Sequence, residues 1–258
     1  MHEKPLVEFQ NISMIYHTLS GETHAVDRVS FDVHDGEFVS IVGPSGCGKS
    51  TLLSMAAGLL KPSDGSVKVL GREVECPTSD VGYMLQKDHL FGWRTIRQNV
   101  LLGLEVQKKL TPENIDKAER LLDTYGLAEF ADHYPHQLSG GMRQRVALIR
   151  TLAINPSILL LDEAFSALDY QTRLAVSDEI SGIIRNEKKT AVLVTHDISE
   201  AISMADRVVV LSKRPARLKE IYDIRLTASS ESPIERRKAP EFKEYFNQIW
   251  KELDVHVA

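Results

Sequence analysis

The stretch GPSGCGKST, residues 43–51, constrains what this chain can bind more than any other stretch does, because its glycines leave much of the backbone uncovered. It follows the short apolar run FVSIV and leads into KSTLLSMAAGLL, where apolar residues recur at helical spacing. Its three glycines accept backbone angles that other residues cannot, so the loop can close with its main-chain N–H groups uncovered. The helix after the loop adds the positive end of its dipole. The stretch therefore predicts a binding site for a chain of phosphates.

The side chains of the loop extend this prediction. Lys49 is expected to reach the β- and γ-phosphates, Ser50 to bind Mg²⁺ through its hydroxyl, and Thr51 to contact the next phosphate. An ordinary glycine turn before a helix is the alternative, and the strand before the loop and the helix after it disfavour that reading. The predicted phosphate-binding positions are Gly43, Pro44, Ser45, Gly46, Cys47, Gly48, Lys49, Ser50 and Thr51.

Composition excludes several classes of protein. A chain of 258 residues, 43% of them hydrophobic, can bury a sizeable core as one large domain or two joined lobes. Its net charge of −5 offers no basic field to attract nucleic acid or an anionic membrane. No run approaches the roughly 18 apolar residues of a membrane span, and the N-terminus does not read as a signal peptide. Cys47 and Cys76 lack metal-ligand spacing, which fits a reducing compartment.

The order of elements predicts an α/β fold. The first third alternates as β-strands do, and a helical segment at about 88–156 follows, with a helix expected to begin at Thr111–Pro112 and to end at Gly126. Short β-branched apolar runs at 157–162, 191–195 and 207–212 indicate a parallel sheet covered on both faces. We therefore expect a P-loop NTPase core with a parallel sheet, an N-terminal antiparallel β-subdomain and an inserted α-helical subdomain.

Two acids follow one of the apolar runs. Asp162 ends SILLLD, so it would lie at the carboxyl edge of the sheet, where such folds bind ligands, and could hold Mg²⁺ opposite Ser50. Glu163 would point elsewhere and could polarise a water that attacks the γ-phosphate. Both acids could instead cap the next helix.

The stretch LSGGMRQR, residues 138–145, repeats the chemistry of the phosphate loop. Ser139, Gly140 and Gly141 lead into a helix, and this predicts a second anion site. A chain with a single phosphate loop needs no second anion-binding helix unless that helix binds a nucleotide held by another copy of the chain. Alternatively, Ser139 is an N-cap followed by two flexible glycines.

Six stretches follow one another along the chain in this order: GPSGCGKST, the glutamine of YMLQKD, LSGGMRQR, ILLLDEAF, SALD and VTHD. The set resembles the nucleotide-binding subunits of ATP-binding cassette (ABC) transporters, over roughly residues 5–225. The resemblance implies an ATPase that uses ATP and Mg²⁺ within an ATP-hydrolysing domain at 1–228. It also implies a head-to-tail dimer with a second copy of the chain, in which Ser139 and Gly141 of one copy face the γ-phosphate bound by Lys49 of the other.

The same resemblance assigns further roles. Tyr16 matches the aromatic residue that stacks on adenine, although a lone Tyr in a strand can also be a core or surface residue. Gln86 matches a glutamine that contacts Mg²⁺ or the attacking water, and Asp169 an aspartate along the dimer interface. His196 matches a histidine that hydrogen-bonds the γ-phosphate and orients the water with Glu163. The expected catalytic residues are Glu163, His196 and Gln86, and the expected metal ligands are Ser50, Gln86 and Asp162.

Two further stretches concern the kind of transport. HLFGWRTIRQNV (89–100) and LSKRPARLKEI (211–221) resemble patterns of the nitrate, sulfonate and taurine importer group, although Phe91–Gly92 replaces the usual Leu–Pro. This implies a subunit at the cytoplasmic face of the cell membrane, bound peripherally to a separate permease and served indirectly by a substrate-binding protein. An exporter ATPase, uptake of a thiamine-precursor pyrimidine, and a non-transport cassette protein of DNA repair or translation remain alternatives.

Two apolar surfaces are open to more than one reading. Phe91 and Trp93 lie in a segment expected to form a groove for a short partner helix, or else they are core residues of the helical subdomain. Residues 229–258 are expected to form a polar linker within TASSESPIERRK, followed by a C-terminal amphipathic helix. That helix could dock on its own domain or make a regulatory or dimer contact. Its predicted apolar face comprises Phe242, Tyr245, Phe246, Ile249, Trp250 and Leu253.

Overall fold

The structure, a computed structural model, describes residues 4–19, 21–166 and 168–253, and these residues form two sheets. Ala167 of SALD and residues 254–258 of the predicted tail helix lie outside the described residues. In the first sheet the strands run antiparallel in the order β2-β1-β4-β5. These strands are β1 (Val7–Thr18), β2 (Gly21–Val33), β4 (Asp64–Val69) and β5 (Arg72–Glu73).

The second sheet has the order β10-β9-β3-β8-β7-β6, parallel except for the edge pair β9 and β10. Its central strands β3 and β8 are buried at every position, because helices or the first sheet cover both faces. The strands are β3 (Phe38–Val42), β6 (Val81–Met84), β7 (Ile158–Asp162), β8 (Thr190–Thr195), β9 (Arg207–Leu211) and β10 (Leu218–Asp223). The predicted fold class is confirmed.

Alternate side chains of the parallel strands enter two different cores, as the period of a strand requires. Val39 and Ile41 of β3 face the antiparallel sheet and α1 (Lys49–Ala56). Phe38 and Val42 of the same strand face the opposite core. Helices contribute to that second core: α2 (Ile96–Val106), α3 (Pro112–Thr124), α4 (Gly140–Ala153), α5 (Tyr170–Asn186), α6 (Ile198–Met204) and α8 (Phe242–Glu252).

The helical segment begins and ends its helices where the sequence predicts. Thr111 caps α3, its hydroxyl accepting a hydrogen bond from the Asn114 N–H at 3.3 Å, and Pro112 is the first helical residue. Gly126 follows the end of α3 with a φ of +69°. Short 3₁₀ turns at Ala128–Phe130 and Pro135–Gln137 then lead to α4. The chain therefore leaves the parallel sheet after β6 and returns to it at β7 through a compact helical insertion.

The C-terminal segment is tied to the rest of the fold at two places. The stretch expected as a polar linker contains the short helix α7 (Pro233–Arg236), and the Arg236 side chain is buried. Its guanidinium donates to the Ala205 carbonyl at 2.6 Å and to Glu231 at 2.9 Å. Beyond it, α8 packs against α6 with Ile249 fully buried. In this structure the tail helix therefore docks on its own domain.

Candidate active site

The phosphate loop lies between β3 and α1 and is held closely against β2. Gly48 has a φ of +126°, and a Cβ placed on it would lie 3.0 Å from the Ala25 carbonyl oxygen and 3.1 Å from a Val26 methyl group. A side chain at this position would be strained and crowded, so glycine is required. Lys49, the next residue, begins α1. The loop thus brings uncovered backbone to the N-terminus of a helix, as the sequence predicts.

The Lys49 side chain is only 4% exposed and folds back over this loop. Its Nζ donates hydrogen bonds to the Gly43 carbonyl at 2.8 Å and to the Pro44 carbonyl at 3.0 Å. Because neutral carbonyl groups are its partners, the ammonium keeps its full charge for an anion bound in the loop.

Asp162 connects the end of β7 to two hydroxyl groups. The Ser50 Oγ donates to its Oδ1 at 2.8 Å, and the Tyr83 hydroxyl donates to its Oδ2 at 3.1 Å. Burial, reinforced by the Asp162 charge, raises the pKa of Tyr83 to about 12, so this phenol remains a donor at neutral pH. The sequence analysis missed Tyr83, which stands in β6, far from Asp162 in sequence.

The Ser50–Asp162 pair suits Mg²⁺, because it juxtaposes a hydroxyl and a carboxylate oxygen, the hard ligands that this ion prefers. Within the described ranges, no group of three or more His, Cys, Asp or Glu side chains could enclose a metal ion. An ion at this pair would therefore take most of its ligands from phosphate and water, as Mg²⁺ commonly does.

Glu163 and His196 face each other at the ends of β7 and β8. The Glu163 Oε2 lies 3.5 Å from the His196 Nδ1, and both side chains remain partly open to solvent. Glu163 has a φ of +46°, in the left-handed region that costs a non-glycine residue of order 1–3 kcal/mol. Its N–H donates to the Val194 carbonyl at 2.8 Å, which helps to hold this conformation. The chain therefore leaves the strand conformation of β7 directly after Asp162.

Gln86 makes a different contact from the one predicted. Its amide nitrogen donates to the Ser166 hydroxyl at 3.0 Å, and that hydroxyl donates in turn to the Glu163 carbonyl at 2.9 Å. The structure therefore joins Gln86 to the segment after β7 and not to the Ser50–Asp162 pair. Its predicted contact with Mg²⁺ stays a prediction.

Tyr16 lies across the loop from this acidic edge. It is 37% exposed, and its hydroxyl is 3.2 Å from the Thr51 hydroxyl. A cavity of about 250 Å³ lies between this tyrosine and the loop, and the sequence analysis missed three of its lining residues, Thr23, Ala25 and Arg214. The lining residues are Tyr16, Thr23, Ala25, Gly46, Gly48, Lys49, Ser50, Thr51, Glu163 and Arg214.

The predicted second anion site lies apart from the first. The Ser139 hydroxyl caps α4 by accepting the Met142 N–H at 3.3 Å, and Gly140 and Gly141 form the first turn of that helix. Asp169 caps α5, and its hydrogen bonds from Thr172 lower the pKa of its carboxyl. Among the described residues, no hydrogen bond or ion pair joins these residues to the phosphate loop. Within one chain, these two groups therefore remain apart.

A phosphate loop, a carboxylate at the end of the adjacent parallel strand and a neighbouring Glu–His pair together define a P-loop nucleoside-triphosphatase. The ABC transporter family profile matches residues 26–166, and similarity extends over nearly the whole chain in the relatives below. The chain belongs to the ABC transporter family, as an ATP-binding, ATP-hydrolysing subunit. Across the described ranges, no helix combines the length and apolar character that a bilayer crossing needs.

Relatives in other organisms cover the chain almost completely. An uncharacterized ABC transporter ATP-binding protein of Bacillus subtilis, YtlC, is 47% identical over 95% of this chain and 94% of its own length. The nitrate import ATP-binding protein NrtD of Synechocystis sp. is 39% identical over 94% of this chain and 93% of its own. The taurine import ATP-binding protein TauB of Rhizobium johnstonii is 41% identical over 95% of each chain.

A solved structure of an ATP-binding cassette is similar in fold. It is a dimeric structure of a post-hydrolysis state bound to ADP and Pi, 32% identical in sequence, with a TM-score of 0.72. The match covers 85% of this chain and 99% of that cassette.

A buried acid lies close to this site, in the first turn of α6. Glu200 is 3% exposed, and its Oε1 has no hydrogen-bond partner among the described residues. Burial raises the pKa of this carboxyl from its ordinary value of 4.5 to about 7, and the neighbouring Asp197 charge adds to the rise. Glu200 is four residues after His196 in sequence, in the first turn of the helix that Asp197 caps.

Because the pKa of Glu200 is higher in the folded state, the stability that its protonated form contributes is fully present below about pH 4.5. It is lost as the pH rises to about 7. We expect Glu200→Gln to gain stability relative to the natural chain between pH 5 and pH 8. Urea unfolding of both proteins at the two pH values measures this difference. An equal difference in unfolding free energy at both pH values would contradict the assignment.

Proposed function

We propose that this chain is the ATP-hydrolysing subunit of a bacterial importer for a small anionic solute of the nitrate, sulfonate or taurine type. The observation that carries the proposal is full-length similarity to subunits named for nitrate import and taurine import. In this proposal the subunit binds a separate permease at the cytoplasmic face of the membrane. A substrate-binding protein delivers the solute to that permease and never touches this chain.

Hydrolysis follows from the placement of the site residues. The phosphate loop and Lys49 bind the phosphates of ATP, and the Tyr16 ring supports the adenine. Mg²⁺ held by Ser50 and Asp162 would supply positive charge that neutralises the phosphate oxygens. Glu163 accepts hydrogen bonds from the attacking water and polarises it, while His196 orients that water and contacts the γ-phosphate.

The separation of the two anion sites supports a head-to-tail dimer. Among the described residues, no hydrogen bond or ion pair joins Ser139, Gly140 or Gly141 to the phosphate loop of their own chain, yet these residues form a helix N-terminus that attracts anions. In a head-to-tail dimer, this N-terminus binds the γ-phosphate held by the phosphate loop of the partner chain, and Asp169 lies along the interface. The dimeric cassette of similar fold is consistent with such an arrangement.

A chain of polar contacts connects the site to the helical insertion. Gln86 contacts Ser166 beside Glu163, and two residues later Asp88 accepts a hydrogen bond from the Arg143 Nε at 3.0 Å. Arg150 donates to the Asp88 and His89 carbonyls at 2.7 and 2.8 Å. Both arginines belong to α4, the helix that Ser139 caps. Movement of α4 during ATP binding would therefore carry the segment after Gln86 with it.

The segment carried by α4 presents an aromatic surface. Trp93 is 74% exposed and stacks on Phe91, with ring centroids 4.8 Å apart, so it is not a core residue. The buried Asn99 side chain fixes this turn: its Oδ1 accepts the Phe91 N–H at 2.7 Å, and its Nδ2 donates to the Phe91, Arg94 and Thr95 carbonyls. A rigid turn with an exposed Trp suits the docking of a short permease helix.

The role of Glu163 can be tested by replacing it with an isosteric amide. Glu163→Gln should retain ATP binding and lose hydrolysis by on the order of 10²-fold or more, because the amide cannot polarise the water. Phosphate release and ATP binding are measured on the same preparations, with the surface change Glu244→Gln as control. Near-normal turnover of Glu163→Gln would remove this residue from its proposed role.

Coupling to the permease can be tested at the exposed Trp. Trp93→Ala should leave the basal ATPase of the isolated subunit intact and weaken assembly with its permease or stimulation by the binding protein. Val106→Ala is the matched control, since Val106 lies in the same helical insertion and is 73% exposed.

The same complex tests the transported solute. Stimulation by a nitrate, sulfonate or taurine-binding protein supports the proposal. Stimulation only by a pyrimidine-binding protein, or by no binding protein, would overturn the solute class or the direction of transport. Equal stimulation of the natural complex and of the Trp93→Ala complex would place the docking surface elsewhere.

A further inference from the structure

We propose that Arg214, in the turn between β9 and β10, is a nucleotide-binding residue that contacts the phosphates shared by ATP and ADP. The inference rests on the nucleotide site proposed at the phosphate loop, and it adds to that site a cation that no motif of the loop supplies. Its starting observation is that Arg214 lines the same cavity as Lys49 and Tyr16, although Arg214 and Lys49 are far apart in sequence.

The Arg214 guanidinium lies directly on the phosphate loop. Its Nε donates to the Gly46 carbonyl at 3.1 Å, and one terminal nitrogen lies 3.3 Å from the position that a Gly46 Cβ would occupy. Gly46 has a φ of +70°, which a side chain would rarely adopt, so the absence of a Cβ permits both this loop conformation and the close approach of the arginine.

Most of the hydrogen-bonding capacity of Arg214 remains free. A guanidinium has five N–H donors, and among the described residues only the Nε–H of Arg214 is used, by the Gly46 carbonyl. No carboxylate of the described residues forms an ion pair with it. The side chain is exposed toward the cavity, so its charge and its remaining donors are available to a ligand. Such a fork of donors matches the oxygens of a phosphate group.

The turn that carries Arg214 is rigid. The Ser212 hydroxyl accepts the Arg217 N–H at 2.9 Å and donates to the Pro215 carbonyl at 3.1 Å, closing the turn from within. The fully buried Ala216 exchanges hydrogen bonds with β2: its N–H donates to Ala25, and its carbonyl accepts from Asp27, both at 2.9 Å. A preorganised turn lets the long Arg214 side chain bind a ligand with less loss of entropy.

The same strand residue ties this turn to the loop. The Ala25 carbonyl accepts from Ala216 and also lies 3.0 Å from the position of a Gly48 Cβ. β2, the turn and the phosphate loop therefore form one packed unit, with Lys49 and Arg214 both reaching the cavity. Glu163 and His196 mark the end of the site where the γ-phosphate reacts. Arg214 instead rests on Gly46, in the middle of the loop whose N–H groups converge on the β-phosphate, so we assign it to the phosphates that remain after hydrolysis.

The test measures the dissociation constants of ADP and of a non-hydrolysable ATP analogue for the full chain and its variants. Arg214→Gln keeps a hydrogen-bond donor for Gly46 and removes the charge. We expect it to weaken both nucleotides by a similar factor, on the order of 10-fold, and to reduce the dependence of affinity on salt concentration. Arg214→Lys should restore part of the affinity. Arg217→Ala is the matched control, because Arg217 belongs to the same turn but forms an ion pair with Asp27 at 2.7 Å outside the cavity lining.

Each outcome decides between the alternatives. If Arg214→Gln binds both nucleotides as the natural chain does while Lys49→Ala loses binding, Arg214 only shapes the loop and the inference fails. If Arg214→Gln weakens the ATP analogue alone, Arg214 contacts the γ-phosphate and the assignment to the shared phosphates fails. If Lys49→Ala also binds normally, the proposed nucleotide site itself is wrong. Thermal melting of each variant identifies any loss of affinity that comes from unfolding.

Discussion

Parallel pairing of β6, β7, β8 and β3 is the constraint on which the rest of the structure depends. It brings the carboxyl ends of four strands to one edge of the sheet, although the strands are distant in sequence. The phosphate loop, Gln86, Asp162 and His196 each follow or end one of these strands. Their hydrogen bonds and short separations are therefore consequences of strand order.

A second constraint is the separation of the phosphate loop from the N-terminus of α4 within one chain. The sheet edge carries the phosphate loop and the acids Asp162 and Glu163, and the N-terminus of α4 offers the backbone donors of its first turn. Because a single chain keeps these two surfaces apart, the proposed site is complete only when two chains meet. Arg143 and Arg150 of α4 are hydrogen-bonded to the segment after Gln86. Movement of α4 when the proposed site closes would therefore also move the exposed Phe91–Trp93 surface. In the proposed dimer, α4 would therefore take part in both the interface and the coupling surface.

Sequence alone predicted the fold class, the phosphate loop, the acidic strand end and the caps of α3 and α4, because each depends on local pattern. Among contacts between distant elements, it anticipated that Ser50 lies near Asp162 and Glu163 near His196, but it missed others. Tyr83 reaches Asp162 only because β6 pairs with β7, and Arg214 reaches Gly46 only because β9 pairs with β3. Because residues 229–238 were predicted to form a linker, the sequence did not predict that Arg236 is buried and donates to the distant Ala205 carbonyl. Gln86 was found by resemblance, but its contact with Ser166 depends on how two loops pack.

The central claim, that each active site is shared between two chains, is tested most directly by mixing two inactive variants. Lys49→Ala damages the phosphate loop and Ser139→Arg damages the N-terminus of α4, so a mixed dimer retains one site in which both halves are intact. If chains pair at random and sites act independently, an equal mixture should recover about a quarter of the natural ATPase rate. A mixture as inactive as either variant alone would show that the site lies within one chain and would contradict the account.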